Sequence, residues 1–140
     1  MSRDRVQIVR EAYEAWNGED FETVRSLLHP RVEWRTSGAF PGLKPVYHGL
    51  AGVREFWDSL KEPWEYFAIH IENAGERGGA VVATVRFEAV GRESGAKVEL
   101  GFVNVWRVED GLIVRFASYP SLDEALEGLE THRQGDRDRD

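Results

Sequence analysis

The spacing of hydrophobic residues changes near the middle of the chain, and this change constrains the fold more than any other feature. Before Pro63, apolar residues recur every three or four positions, which is typical of amphipathic helices. From Tyr66 onward they alternate with polar residues, which is typical of strands with one buried face. The sequence therefore predicts helices grouped before a run of strands, an α+β arrangement in which helices cover one face of a sheet.

Three helices are predicted before the long strands, each from a stripe of apolar residues at helical spacing. Their stripes cover residues 6–16, 21–28 and 50–60, and the helices end at Asn17-Gly18, Pro30 and Pro63. A short strand at residues 32–35 and a long loop at residues 36–47 separate the second helix from the third. A capping box at residues 121–124 opens a short final helix.

Four longer strands are predicted at residues 66–72, 80–90, 97–108 and 112–119, joined by glycine-containing turns. Consecutive strands joined by short turns form an antiparallel sheet. We expect one domain over residues 1–130. The segment THRQGDRDRD, residues 131–140, has no apolar residue to bury, so we expect a disordered charged tail there.

Composition excludes several classes of function. Lys and Arg total 18 against 25 Asp and Glu, which gives a formal charge of −7 and disfavours nucleic acids and anionic membranes as partners. The absence of cysteine excludes disulfides and thiolate chemistry. The chain begins without an apolar signal core, and no apolar run approaches the roughly 18 residues of a membrane span. We therefore expect a cytoplasmic protein.

Strand alternation predicts which side chains face the helices, because the bulkier and more apolar phase of each strand should point inward. Asn104 and Ser118 are polar exceptions in this phase, so each needs either a structural partner or a ligand. Trp34 and Trp106 would either stack on a planar ligand or fill the space. The residues predicted to line a ligand cavity are Tyr13, Trp34, Tyr47, Phe87, Phe102, Asn104, Trp106, Phe116 and Ser118.

The outward phase is not purely polar either. A stripe formed by Val103, Val105, Ile113 and Ala117 lies among charged residues. A fully solvated face would not need these apolar side chains, so the pattern predicts a homodimer packed through the outer face of the sheet. The alternative is that the four residues are scattered on an exposed surface.

Four segments carry a resemblance to a known family: AWNGEDFETVRSLLHPRVEW, YHGLAGVREFW, NVWRVEDGLIVRFASY and DEALEGLE. Together they resemble the SnoaL-like polyketide cyclase group of the nuclear transport factor 2-like superfamily. The resemblance implies a strongly curved, mostly antiparallel sheet wrapped on three N-terminal helices, which forms a cone with an apolar cavity. It also implies frequent dimers. The superfamily contains isomerases, hydrolases, cyclases and binding modules, so the fold alone does not give the function.

Within the resemblance, ketosteroid isomerases allow a comparison by position. Trp34 stands where those enzymes carry a general-base carboxylate, and Asn104 stands where they carry the protonated acid of their oxyanion hole. Their phenol falls at or next to Ala12, beside Tyr13. No Asp or Glu occupies an inward strand phase, so the sequence does not predict proton abstraction by the isomerase route.

His48 is the titratable residue closest to the predicted cavity mouth, because it ends the long loop in Tyr47-His48-Gly49. If the protein is an enzyme, Asn104 would polarise a carbonyl or hydroxyl group and His48 would carry the proton. The alternative is that His48 is only a turn residue. The histidines show neither HxH nor HExxH spacing, so we predict no metal site and no cofactor.

Three functions remain open from the sequence. The first is binding of a small apolar or aromatic molecule by the aromatic cavity. The second is an enzyme of cyclase, isomerase or hydrolase type that acts on a small apolar or aromatic substrate. The third is a dimeric assembly module whose cavity is filled by its own side chains.

Overall fold

A computed structural model describes residues 4–40 and 42–138, with side chains as far as residue 130. The described elements are, in chain order, α1 (Arg5–Asn17), α2 (Phe21–Ser26), β1 (Leu28–Arg35), β2 (Val46–His48), α3 (Gly49–Lys61), β3 (Trp64–Arg77), β4 (Ala80–Gly91), β5 (Lys97–Glu109), β6 (Leu112–Tyr119) and α4 (Leu122–Asp138). None of the described helices is long and apolar enough to cross a membrane.

One six-stranded sheet organises the molecule. Its strand order is β2-β1-β6-β5-β4-β3, and every neighbouring pair is antiparallel except β1 and β6. The sheet is curved and does not close into a barrel. The predicted α+β class and the curved, mostly antiparallel sheet are therefore confirmed.

The final helix differs from the prediction in length. As expected from the sequence, β1 lies between α2 and α3, so the three early helices are not consecutive. The final helix was expected to be short, but α4 has 17 residues. The disorder predicted for residues 131–140 stays a prediction, although the backbone of residues 131–138 continues α4.

β2 was missed by the sequence analysis, which placed all of residues 36–47 in a loop. It has three residues, too few for an alternating pattern to be visible, and Pro45 and Gly49 flank it. Its register with β1 places Tyr47 opposite Trp34 and His48 opposite Glu33. The strand therefore decides on which face of the sheet each of these residues lies.

The main core lies between α1, α3 and the inner face of the sheet. Ile8 and Val9 of α1 and Val53 of α3 are fully buried there. Asp4 caps the start of helix α1, because its carboxylate accepts a 2.9 Å hydrogen bond from the backbone N–H of Val6. This cap and the apolar stripe fix the helix so that Tyr13 and Trp16 face the sheet.

A second, smaller core forms on the outer face of the sheet, and it corrects the predicted dimer interface. Val103 and Val105 pack against Ala125 and Leu129 of α4, so they are 6% and 2% exposed within the single chain. Ala117 is equally buried, at 2%. The apolar stripe on this face is therefore covered by the chain's own last helix.

Ile113 was assigned to the same outer stripe, but it belongs to the main core and is fully buried. A register shift between Arg107 and Val108 brings Val108 opposite Ile113 and reverses the alternation at the start of β6. Strict alternation could not predict this reversal, because a bulge leaves no mark in the pattern of apolar residues.

Candidate functional site

The interior between the helices and the sheet contains two neighbouring compartments. The inner compartment has a volume of about 50 Å³ and the outer compartment about 60 Å³. Five residues contribute to the walls of both: Phe56, Leu60, Ile69, Asn104 and Phe116. Asn104 is the only one of these five with a polar side chain, so it is the polar group common to the two spaces.

Three side chains from α1 and β5 form a buried polar cluster beside the inner compartment. The hydroxyl of Tyr13 accepts hydrogen bonds from Asn104 Nδ2 at 2.9 Å and from Trp106 Nε1 at 3.0 Å. The ring of Tyr13 also meets the ring of Trp106 edge to face, with centroids 5.2 Å apart. Asn104 and Trp106 are two residues apart on β5, so the strand presents both to the same hydroxyl.

Burial raises the pKa of Tyr13, and the two hydrogen bonds that its oxygen accepts only partly oppose this effect. The phenol therefore stays protonated under physiological conditions. It can donate a hydrogen bond, but it cannot serve as a general base.

Several buried polar atoms in this region have no hydrogen-bond partner among the described residues. They are Asn104 Oδ1, Trp16 Nε1 and Trp34 Nε1, and all three residues line the inner compartment. An unpaired buried polar atom costs about 1–3 kcal/mol. This part of the interior therefore has unused hydrogen-bonding capacity.

Aromatic rings occupy much of the interior. Trp34 stacks on Phe116 with centroids 4.1 Å apart and lies nearly parallel to Trp16 at 6.1 Å. Trp106 meets Trp34 edge to face at 5.6 Å. Ligand sites typically measure about 300–1,000 Å³, so these rings leave two spaces much smaller than an ordinary ligand pocket.

Phe40 is a wall residue that the sequence analysis missed. Its ring lies 5.0 Å from Phe87, 5.6 Å from Phe102 and 6.2 Å from Trp64, measured between centroids. It closes the outer compartment together with Thr36, Ser37 and Leu43. The segment between β1 and β2 has no regular hydrophobic period, so its composition gave no sign that it turns a phenylalanine inward.

All but one of the residues predicted to line the cavity do so. The inner compartment includes Tyr13, Trp34, Asn104, Trp106 and Phe116, and the outer one adds Phe87, Phe102 and Ser118. Tyr47 lines neither compartment. Its ring packs on Phe56, with centroids 5.5 Å apart, and its hydroxyl accepts a 2.9 Å hydrogen bond from the backbone of Lys44.

His48 does not reach the cavity, which corrects its predicted catalytic role. Its side chain is exposed and alternates with the buried Tyr47 along β2. It therefore lies on the same face as its register partner Glu33 rather than with Trp34. The proton transfer proposed for His48 and Asn104 thus has no geometric basis.

Among the residues that the structure describes, the walls of the two compartments contain no carboxylate, imidazole or amine. Among the described residues, no group of three or more acidic residues or histidines is placed to hold a metal ion. Glu33 lies on the other face, where it accepts hydrogen bonds from Arg35 at 2.8 Å and Arg115 at 2.9 Å. Partial burial would raise the pKa of Glu33, but the two arginines outweigh it and lower that pKa.

Solved structures share this architecture. A nuclear transport factor 2-like protein of unknown function from Burkholderia pseudomallei is 27% identical, with a TM-score of 0.76, and the match covers 88% of this chain and 95% of that one. TerC, crystallised with polyporic acid, is 24% identical with a TM-score of 0.75, over 90% and 98% of the two chains.

A third structure has a ketosteroid isomerase-like fold and comes from Catenulispora acidiphila, in complex with trimethylamine. It is 14% identical, with a TM-score of 0.72 and coverage of 85% of this chain and 88% of that one. These likenesses define the class as the cone-shaped nuclear transport factor 2-like fold.

The family follows from the sequence comparison. The model of the SnoaL-like domain matches residues 9–116, which include the polar cluster and, among the lining residues of the two compartments, all but Ser118. The chain belongs to the SnoaL-like family. Comparison with curated proteins finds no match.

Proposed function

We propose that this protein binds a small, largely apolar molecule that carries one polar group, and that Asn104 and Tyr13 orient this group. The single observation that carries the proposal is the unpartnered Oδ1 of Asn104 in a residue that is 5% exposed and common to both compartments. A ligand that satisfies this atom would recover the hydrogen bond that the free protein lacks.

Volume limits the ligand. An apolar cavity of about 150 Å³ holds benzene, whereas the compartments measure about 50 and 60 Å³. A single ring therefore needs more room than either compartment offers alone. The proposal is therefore restricted to molecules of about one ring or smaller. The trimethylamine named with one related fold supports small organic molecules as ligands of such a cone.

The two alternatives are weaker for different reasons. Enzymatic acid–base chemistry would need a titratable group within hydrogen-bond reach of the substrate. Of the described residues in the two compartment walls, only Tyr13 carries a titratable group, and its phenol is neutral. An assembly module with a filled cavity agrees with the small volumes, but it gives no use to the unpaired buried atoms of the inner compartment. Binding accounts for both observations.

The test is a titration of the full-length protein with phenol, cyclohexanone and toluene, followed by thermal unfolding and calorimetry. Phenol and cyclohexanone should raise the unfolding temperature in a saturable way, because a ligand that binds only the native state stabilises it. In Asn104→Leu this effect should shrink, while toluene should bind as it does to the unchanged protein.

Asn73→Leu is the matched control, because Asn73 is an exposed amide on β3. It should leave all three titrations unchanged. If none of the three compounds binds saturably to the full-length chain, the binding proposal is wrong and the filled-cavity alternative replaces it. If a compound is converted to a product, the enzyme alternative replaces it.

A further inference from the structure

The ring of Phe40 occupies a position at the outer compartment that is surrounded by other rings. Its centroid lies 5.0 Å from Phe87, 5.6 Å from Phe102 and 6.2 Å from Trp64, at interplanar angles of 59°, 44° and 80°. Tilted and edge-to-face contacts of this kind are the ones that aromatic pairs prefer. Phe87 and Phe102 are buried, whereas Phe40 is only partly buried. The position therefore suits an aromatic ring, and its present occupant keeps contact with solvent.

The segment that carries Phe40 is held firmly at both ends. The backbone N–H of Thr36 donates a 3.0 Å hydrogen bond to the carbonyl of Pro45, and the Thr36 hydroxyl donates to the carbonyl of Lys44 at 2.9 Å. The ammonium group of Lys44 also lies 2.7 Å from the carboxylate of Glu55 on α3. A change in the position of Phe40 therefore does not require β1, β2 or α3 to move.

Between these anchored ends the segment is less constrained. Among its described residues a single hydrogen bond is present, from the Ala39 N–H to the Ser37 hydroxyl at 3.2 Å. Gly38 and Gly42 flank Phe40 with φ angles of 82° and 88°, a region that glycine enters and leaves at little cost. A Cβ at either glycine would meet no atom within 4 Å. This part of the segment therefore depends on apolar packing, above all by the ring of Phe40, to stay against the sheet.

The space beside Phe40 is too small for a ring, but the space that Phe40 itself occupies is not. The outer compartment measures about 60 Å³, and a cavity of about 150 Å³ holds benzene. A phenylalanine side chain ends in the same six-membered ring as benzene, so its departure would enlarge the compartment by the volume of one such ring. A ligand ring in this place would lie in the same compartment as the carboxamide of Asn104.

We propose that Phe40 is an internal placeholder, whose ring a small neutral aromatic molecule displaces in order to pack against Phe87, Phe102 and Trp64. This inference rests on the proposed binding function and narrows its ligand class to molecules with one aromatic ring. A charged ring would lose hydration there, because the described wall residues carry no charge. The displacement lowers the apparent affinity, since only the fraction of molecules with Phe40 withdrawn can bind the ligand.

The first test follows the displacement in the full-length protein by NMR, with toluene as the probe and with the phenylalanine rings of the protein labelled with ¹³C. Without toluene, Phe40 and Phe87 should show a nuclear Overhauser contact, because their centroids are 5.0 Å apart. As toluene is added, this contact should disappear in a saturable way, and contacts between toluene and Phe87 should replace it. If the contact between Phe40 and Phe87 persists at saturating toluene, the displacement is wrong.

The second test removes the ring that the ligand must displace. Calorimetry should show that toluene binds to Phe40→Ala about tenfold more tightly, or better, than to the unchanged protein. Phe21→Ala is the matched control, since Phe21 is also partly buried and packs edge to face on Trp57, with centroids 5.3 Å apart, but lines neither compartment. It should change the affinity for toluene by less than about twofold.

The outcomes separate this inference from the proposed function. If toluene binds Phe40→Ala no more tightly than the unchanged protein, Phe40 does not occupy the place of the ligand, while small-molecule binding stands. If toluene binds to Phe40→Ala alone, the unchanged chain does not release its ring, and the inference is also wrong. If toluene binds to neither protein, the inference is wrong, and the titrations with phenol and cyclohexanone decide the proposed function separately.

Discussion

Tyr13 is the residue on which the polar interior depends, because two buried donors share its hydroxyl. Tyr13→Phe removes that acceptor and leaves Asn104 Nδ2 and Trp106 Nε1 unpaired. We expect the free energy of unfolding in urea to fall by about 1–3 kcal/mol. Tyr66→Phe is the control. Tyr66 is 54% exposed, so its loss of a hydroxyl should change stability by less than about 0.5 kcal/mol.

The raised pKa of the same phenol predicts that the folded protein loses stability at alkaline pH. Burial raises the pKa of Tyr13 in the folded protein, so its contribution is complete below the unfolded pKa of about 10 and declines above it. Between the two pKa values the unfolded chain releases the proton first, which costs up to about 1.4 kcal/mol per pH unit. Between about pH 9 and 11, the free energy of unfolding measured in urea should fall more steeply with pH for the unchanged protein than for Tyr13→Phe. Parallel curves would contradict this assignment.

At the scale of single residues, the sequence predicted most of the wall and misplaced the residues near irregularities. Asn104, Trp106 and Phe116 followed from alternation because their strands are regular at those positions. His48 was misplaced because an unseen three-residue strand turned it outward. Whether a buried atom such as Trp34 Nε1 has a hydrogen-bond partner depends on three-dimensional packing, so no sequence pattern predicts it.

At the scale of elements, α4 docks on the sheet through a close contact between Gly128 and the side chain of Tyr119. A Cβ at Gly128 would collide with the ring and hydroxyl of Tyr119 on β6. Gly→Ala within a helix normally gains about 1 kcal/mol. Here we expect Gly128→Ala to lower the free energy of unfolding, measured in urea, by about 1–3 kcal/mol, because the collision forces the helix or the ring to shift.

A second substitution isolates this contact. In a Tyr119→Ala background the obstacle is gone, so Gly128→Ala should become neutral or stabilising, as helix propensity predicts. Glu127→Ala is an exposed control on the same helix and should have an effect near zero. If Gly128→Ala lowered the free energy of unfolding equally in both backgrounds, the contact between Gly128 and Tyr119 would not be the cause.

The long strands were predictable as elements because apolar and polar residues alternate along them and glycine-containing turns join them. β6 begins and ends where the pattern placed it, at Leu112 and Tyr119, while β3 extends beyond the predicted residues 66–72 on both sides. The cover that α4 provides was not predicted. Its apolar residues show that it packs against something, but not which face of the sheet it meets.

At the scale of the whole molecule, the covered outer face changes what is expected of self-association. The homodimer stays a prediction, but Val103 and Val105 cannot mediate it while α4 lies over them. Leu129→Glu places a charge in that contact, so it should lower stability by more than about 2 kcal/mol and promote association through the uncovered face. Sedimentation velocity over a range of concentrations measures the change.

Leu122→Glu is the matched control, since Leu122 lies on the same helix and is 47% exposed. It should sediment like the unchanged protein. If Leu129→Glu also sediments like the unchanged protein, the covered face does not promote association between molecules, and its valines serve only to hold α4.

The parallel pairing of β1 with β6 also sets the order in which the molecule can be completed. β1 ends at Arg35 and β6 begins at Leu112, so most of the chain must exist before these strands can meet. Contacts so distant along the chain slow folding. A nascent chain will therefore emerge from the ribosome with the inward edge of β1 uncovered, and it will remain open to unwanted pairing until synthesis reaches the last strand.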